Sequence, residues 1–410
     1  MILPIVVGVF QIGSGLPLLA AWFQFFATIN INVIIQYLFF SIFLYNVFIF
    51  GSARRKKRRK IANDDQKPNK SEQVTLQNKY ISLNFTKKYT FNHCLLNAVY
   101  LLFVIFSLYY VYLLRGNIFR GYFGDYSLYL HTGTMSALFL TLFSLDKYLE
   151  RNFKLFKLRD NMNIFRKTYL IFLGILLLSF GGRLYVMTVI VAVLVYRSKY
   201  VKKITVKQAG VLFAAGLTAF VAMGLLRFNQ MVYFDGMASI FLAESLFVSF
   251  SMLAFLNAQN LPLLNFPIFL ISYIPNLIPS VIFDSQNIWR NFSDYGYVHY
   301  SPGGALNVYV SLIVNFGIIG SIIAVYFFGR LLRYLEKHKG HKWQAVSYSL
   351  VTAFLLSSVF RDGFHVSLVK NIFQFSILLP IIFSIIIYSK KEVSNKNYYI
   401  KEKKIQYDIV

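Results

Sequence analysis

Seven of the chain's 42 Lys and Arg residues stand apart from its basic clusters: Arg115, Arg120, Arg183, Arg227, Arg290, Arg361 and Lys370. Six of these seven are arginines, whereas the clusters are rich in lysine. A guanidinium presents a flat fork of donors that can hold two phosphate oxygens together, while an ammonium acts as a point charge. Arginines at the ends of apolar helices suit a lipid-linked pyrophosphate, whose charge they would neutralise at the membrane surface as it leaves. Arg183 is the sharpest case. It follows Gly181-Gly182 in the middle of a long apolar stretch, where the glycines let a head group approach the backbone. The competing reading is a turn arginine snorkelling to the interface. Arg227 ends the apolar run Leu225-Leu226, Arg361 opens the turn Arg361-Asp362-Gly363, and Arg290 follows Trp289 among aromatic residues that could stack on sugar rings. A helix-boundary cation, a local pair with Asp362 and ordinary loop chemistry are the alternatives for these three.

Groups for acid–base work are few. Glu244 interrupts the apolar run Leu242-Ala243-Glu244-Ser245-Leu246. Burying it unpaired would be costly, so one of the arginines is its expected partner, in either a structural or a functional pair. His299 and His365 are the histidines nearest the isolated arginines. Either titrates near neutral pH and could take the proton of a sugar hydroxyl, although a lone histidine is more often structural. His131 is a weaker candidate. None of the three has a second ligand at metal-binding spacing, and the lone Cys94 rules out a cysteine metal site or an internal disulfide, so no metal or cofactor is expected.

The elements that must carry these residues are membrane spans. Hydrophobic residues make up 57% of the 410 positions and charged residues 14%, against roughly 25% charged in soluble domains. About 20 apolar residues cross a bilayer. On that measure ten spans are expected: 2–23, 31–50, 94–114, one ending near 143, two short helices within 168–196 that meet at Gly181-Gly182-Arg183, then 209–226, 305–328, 346–360 and 368–388. The fold class is therefore all-α, a single polytopic membrane domain over 1–410. Residues 227–304 form one large loop with apolar pieces and Pro262, Pro267, Pro275 and Pro279, expected to hold interfacial or re-entrant helices.

Charge orients the chain. Placing both termini in the cytoplasm puts 35 of the 42 cations in the cytoplasmic segments 51–91, 147–167, 197–207, 330–342 and 389–410. The basic loop 51–91 opens with seven consecutive cations, from Arg54 to Lys60. The net charge of +26 is thus a topology signal. It is not a nucleic-acid surface, which would interleave cations with aromatics on one folded face. The isolated arginines and the loop 227–304 then face outward, into the periplasm of a bacterial-type inner membrane.

One stretch carries a family likeness. Tyr300-Ser301-Pro302-Gly303-Gly304-Ala305, followed by Asn315-Phe316-Gly317-Ile318-Ile319-Gly320, resembles the signature of Wzy-type O-antigen polymerases, the oligosaccharide repeat-unit polymerases. Gly181-Gly182-Arg183, Glu244, the proline-rich outer loop and Phe360-Arg361-Asp362 follow in the family's order. The resemblance implies a GT-C-like membrane plan and metal-independent glycosyl transfer on the periplasmic face. In that reaction a growing glycan moves from undecaprenyl pyrophosphate to the non-reducing end of a new lipid-linked repeat unit. It implies Arg183, Arg227, Arg290 and Arg361 as pyrophosphate ligands, and His299, His365 or Glu244 as base. The implied partners are undecaprenyl-pyrophosphate-linked glycans, membrane lipids and a polysaccharide chain-length regulator. Two rivals share the broad plan. An O-antigen ligase would deliver glycan to a lipid A core, and a lipid-linked oligosaccharide flippase or transporter would use the arginines to line a substrate cavity.

Overall fold

A computed structural model describes residues 31–52, 74–118, 131–156, 160–180, 182–200, 261–277, 307–337, 342–358 and 367–388, with a few isolated positions besides. Every element among them is helical: α1 (Ile31–Ser52), α2 (Val74–Leu113), α3 (His131–Phe156), α4 (Asn163–Ser179), α5 (Arg183–Tyr200), the short α6 (Ile268–Tyr273), α7 (Val308–Lys337) and α8 (Lys342–Ser358). A π-helix, Ser367–Leu378, then runs into α9 (Leu379–Tyr388). Four stretches are long and apolar enough to cross a membrane: Ile35–Ser52, Cys94–Asn117, Val308–Lys337 and Leu368–Ile386. This is a helical membrane protein. The ten-span count and the first span, 2–23, reach beyond the described residues.

Side-chain exposure fits a lipid solvent. On α1, Phe39 and Phe50 are each 73% exposed, and Ile105 on α2 and Ile171 on α4 are similarly bare. Water would penalise such a surface over several helices, whereas lipid tails do not. The packing between helices therefore relies on close backbone approach. Where α1 crosses α7, a Cβ on Gly329 would lie 2.5 Å from the Phe48 carbonyl oxygen and 2.9 Å from the Ser52 nitrogen. Gly51 is equally tight against the Tyr326 carbonyl. Small residues at this crossing let the two backbones touch.

Several boundaries differ from those expected. The helix carrying the third span begins at Val74, so the polar part of 51–91 is helical from that point on. The fourth span does not stop near residue 143: α3 continues through the basic segment to Phe156. The Gly-Gly-Arg break is present. Helix α4 ends at Ser179, the Gly182 amide donates to the Leu177 carbonyl (2.8 Å), and α5 starts at Arg183. A side chain at Gly182 would collide with Leu177 at 2.6 Å, which explains a glycine at this reversal. Farther on, the amide of Gln208 and the hydroxyl of Thr205, and the amide of Thr205 and the side chain of Gln208, pair reciprocally. This reciprocal pairing is a capping box, an arrangement typical of helix starts, and among the described positions Gln208, Gly210 and Val211 are helical.

The last helix is wound unusually. Its first twelve residues, Ser367–Leu378, are π-helical, and the Ser376 hydroxyl accordingly reaches the Asn371 carbonyl five residues back (2.8 Å). Pro380 follows in the next turn. A proline lacks an amide donor and crowds the preceding turn, and a widened turn is one way a helix absorbs that.

Candidate functional site

The Asn315-Phe316-Gly317-Ile318-Ile319-Gly320 motif is the site of a built break in α7. Gly317 adopts φ 72° and ψ −176°, a conformation essentially confined to glycine, in the middle of the 30-residue helix. A helix broken inside a membrane leaves donors and acceptors that must be met by protein. Here residues 262–265, in the proline-rich stretch, meet them. The Ile318 and Ile319 amides donate to the carbonyls of Pro262 (3.0 Å) and Leu263 (3.1 Å), and the Asn265 amide donates to the Phe316 carbonyl (3.2 Å). The Asn265 side chain adds a bond to the Val314 carbonyl at 2.6 Å.

Each motif residue has a physical task at this joint. Asn315, fully buried, accepts from the Leu270 amide of α6 (2.9 Å) and donates to the Ser311 carbonyl (2.7 Å). Gly317 must lack a side chain because the 263–264 backbone lies where a Cβ would sit, with Leu263 O and Leu264 Cα at 2.6 Å. Gly320 makes room for Phe316, whose Cβ would be 2.6 Å from a Cβ there. Ser321 donates to the Gly317 carbonyl (2.6 Å) and steadies the start of the second half-helix. The arrangement clamps 262–273 onto α7. Phe269, Tyr309, Val310 and Ile313 close the core behind it.

A second polar cluster lies at the opposite, basic end of the bundle, in the segment counted above as the cytoplasmic loop 147–167. Arg166 is completely buried at the start of α4. Its Nε donates to Asp146 (2.9 Å), and one terminal nitrogen donates to Asn97 (3.0 Å) and Asp160 (3.1 Å). The other terminal nitrogen pairs with the second Asp160 oxygen. Burial alone would lower the Arg166 pKa, but Asp160 and Asp146 outweigh it and hold the guanidinium above its ordinary value. Beside it, Lys147 bridges Asp146 (3.3 Å) and Glu150 (2.9 Å). Burial opposes its charge too, and the same two carboxylates raise its pKa. Arg151 stacks on the Tyr200 ring at 4.9 Å, and Lys199 pairs with Glu336 at the end of α7. The cluster thus joins α2 at Asn97, α3 at Asp146 and α4 at Arg166, with the ends of α5 and α7 beside it. Asp146 and Asp160 went unremarked in the sequence because acids scattered in a basic segment look like solvated charge. Asp160 lies before α4 begins and Asp146 is on α3, so no periodicity in the sequence marked either as a partner of Arg166.

The structure describes little of the predicted catalytic constellation. Glu244, His299 and His365, and the arginines Arg227, Arg290 and Arg361, lie outside the described residues. Arg183 is placed by its backbone as the first residue of α5, immediately after the break. His131 is the exposed first residue of α3, its ring 5.9 Å from that of Tyr110. Arg115 stacks over Tyr112 at 4.3 Å. Among the described residues, no three His, Cys, Asp or Glu side chains converge as a metal site. Compared with protein-family models, curated proteins and solved structures, the chain matches none of them.

Proposed function

We propose that the chain polymerises undecaprenyl-pyrophosphate-linked oligosaccharide repeat units into an O-antigen or capsule-type polysaccharide, on the periplasmic face of a bacterial inner membrane. In this reading a base, His299, His365 or Glu244, takes the proton of the acceptor hydroxyl. That oxygen bonds to the anomeric carbon of the donor glycan, and the lipid pyrophosphate leaves against Arg183, Arg227, Arg290 and Arg361. A metal-independent glycosyl transfer of this kind asks the protein for cationic neutralisation and firm positioning of two lipid-linked chains.

The observation that carries the reading is the joint at Gly317. Its Asn-Phe-Gly-Ile-Ile-Gly sequence is the stretch resembling the polymerases, and it holds residues 262–265, which belong to the same 227–304 stretch of sequence as Arg290 and His299. A broken helix also occurs in transporters, which favours the flippase alternative at first sight. In that architecture the half-helix ends are left free to face substrate and ions. Here the amides of Ile318 and Ile319 and the carbonyls of Val314 and Phe316 are already bonded to 262–265, so the break suits a mechanical role better than a binding one.

The test is the surface polysaccharide of cells carrying Arg183→Ala or Arg361→Ala in place of the wild-type chain. The expected product is a single capped repeat unit with no ladder of longer chains, from a protein inserted at normal levels. Normal ladders from both variants would remove the pyrophosphate-site assignment. Loss of even the single unit would point to a ligase or flippase.

A further inference from the structure

Along the outer face of α7, below the break, runs an open groove of about 700 Å³. Its upper walls are Phe316, Ala324, Phe327, Phe328 and Leu331, with Leu368 from the π-helix. Its lower end carries Arg330, Arg333, Tyr334 and Lys337. The spacing of Arg330, Arg333 and Lys337 places all three cations on one side of the helix, within two turns. Arg330 and Lys337 are exposed, and Glu336, the acid nearest them in sequence, is engaged by Lys199 of α5. From Phe316 to Leu331 the apolar part runs roughly 20 Å at 1.5 Å per residue, long enough to take an acyl chain across the ~15 Å depth of one leaflet's hydrocarbon. The neighbouring groove between α1 and α7, about 550 Å³, offers a comparison: among the described residues its lining, which includes Phe43, Val47, Phe50, Ile323, Tyr326 and Asn46, holds no cation.

We propose that the α7 groove is a specific site for an anionic phospholipid of the membrane in which the protein sits. The acyl chain lies along Phe316–Phe327, and the phosphate is held by Arg330, Arg333 and Lys337. The cations lie at the basic end of the bundle, where the charge distribution of the sequence places the cytoplasmic surface, and basic pockets at that surface are suited to anionic head groups. Charge complementarity and the leaflet-length apolar wall together select an amphiphile over a free phosphate. A lipid seated here would brace the second half of α7 against the π-helix. The site is independent of the polymerase reading and would survive its failure.

Native mass spectrometry of the intact chain in detergent tests the proposal, with phosphatidylglycerol and phosphatidylcholine of equal acyl length as probes. The wild-type chain is expected to retain phosphatidylglycerol preferentially. The triple variant Arg330→Gln, Arg333→Gln, Lys337→Gln should lose roughly a hundredfold in phosphatidylglycerol affinity, since each basic residue near a membrane surface contributes about a factor of five. A charge-matched control, Arg54→Gln, Arg55→Gln, Lys56→Gln, should keep the preference. Ala324→Trp, which fills the apolar wall and leaves every cation in place, should weaken both lipids and serves if the triple variant does not fold. Equal losses in the triple variant and the control would overturn the site, as would an unchanged preference in the triple variant or unaltered binding in Ala324→Trp. Displacement of the lipid by millimolar inorganic phosphate would reduce it to a simple anion site and overturn the lipid assignment.

Discussion

Replacing Gly317 by Ala tests whether the break in α7 is a fixed joint. The φ of 72° with extended ψ costs a non-glycine residue about 1–3 kcal/mol on its own. The added Cβ also meets backbone, at 2.6 Å from both Leu263 O and Leu264 Cα, so no side-chain rotation relieves it. The segment 262–265 must move away. In moving it gives up the three backbone hydrogen bonds from Ile318 to Pro262, Ile319 to Leu263 and Asn265 to Phe316, each contributing about 1 kcal/mol net. The sum, about 4–6 kcal/mol, exceeds what local relaxation can absorb. The expected outcome is a melting temperature in detergent lowered by at least about 5 °C, with the Ile318 and Ile319 amides exchanging rapidly with deuterated solvent. Gly133→Ala is the internal control. A Cβ there meets nothing within 4 Å, so the change should be neutral or slightly stabilising, by about 0.4–1 kcal/mol. If Gly317→Ala melts with the wild type and still protects both amides, the joint does not hold the loop and the reasoning fails.

Other variants probe the remaining contacts. Arg166→Ala leaves Asp160 without its bidentate partner and Asp146 with Lys147 alone, and should destabilise by about 3–5 kcal/mol; adding Asp146→Asn and Asp160→Asn should recover part of this in denaturation, and strict additivity would contradict the network. Asn315→Ala removes both the acceptor for Leu270 and the donor to Ser311 in a buried setting, at about 1–3 kcal/mol. Asn315→Asp turns a carboxylate oxygen toward the Ser311 carbonyl in an apolar interior, and its detergent-solubilised form should melt no higher than Asn315→Ala. Gly329→Leu forces α1 off α7 at the Phe48 carbonyl, and a cysteine pair across that crossing should cross-link less efficiently than in the Gly329 background.

How far the sequence could be read depends on the range over which each signal acts. Apolar runs are local, and α1, the apolar part of α2, α7, α8 and the terminal π/α helix fall where hydropathy put spans. The break at Gly181-Gly182-Arg183 was legible because two glycines inside an apolar stretch have few other uses. The fate of the polar segments was not. Lys147–Lys167 looked like a loop, yet most of it is helix and its charges are partly buried, because Asp146 and Arg166 compensate each other only once α3 and α4 lie side by side. Pairing across 20 residues leaves no mark in composition.

The Asn-Phe-Gly motif shows the same division. Its glycines signalled a special backbone, and the prolines of 262–279 signalled irregular chain in the outer loop. That Pro262, Leu263 and Asn265 complete the hydrogen bonding of the broken helix follows only from their meeting in space. The sequence by itself determined the solvent and the helical class, because these follow from hydrophobic length and composition. The tertiary structure decided which polar groups satisfy one another, since inside a bundle each buried donor is answered by whichever acceptor packing brings to it.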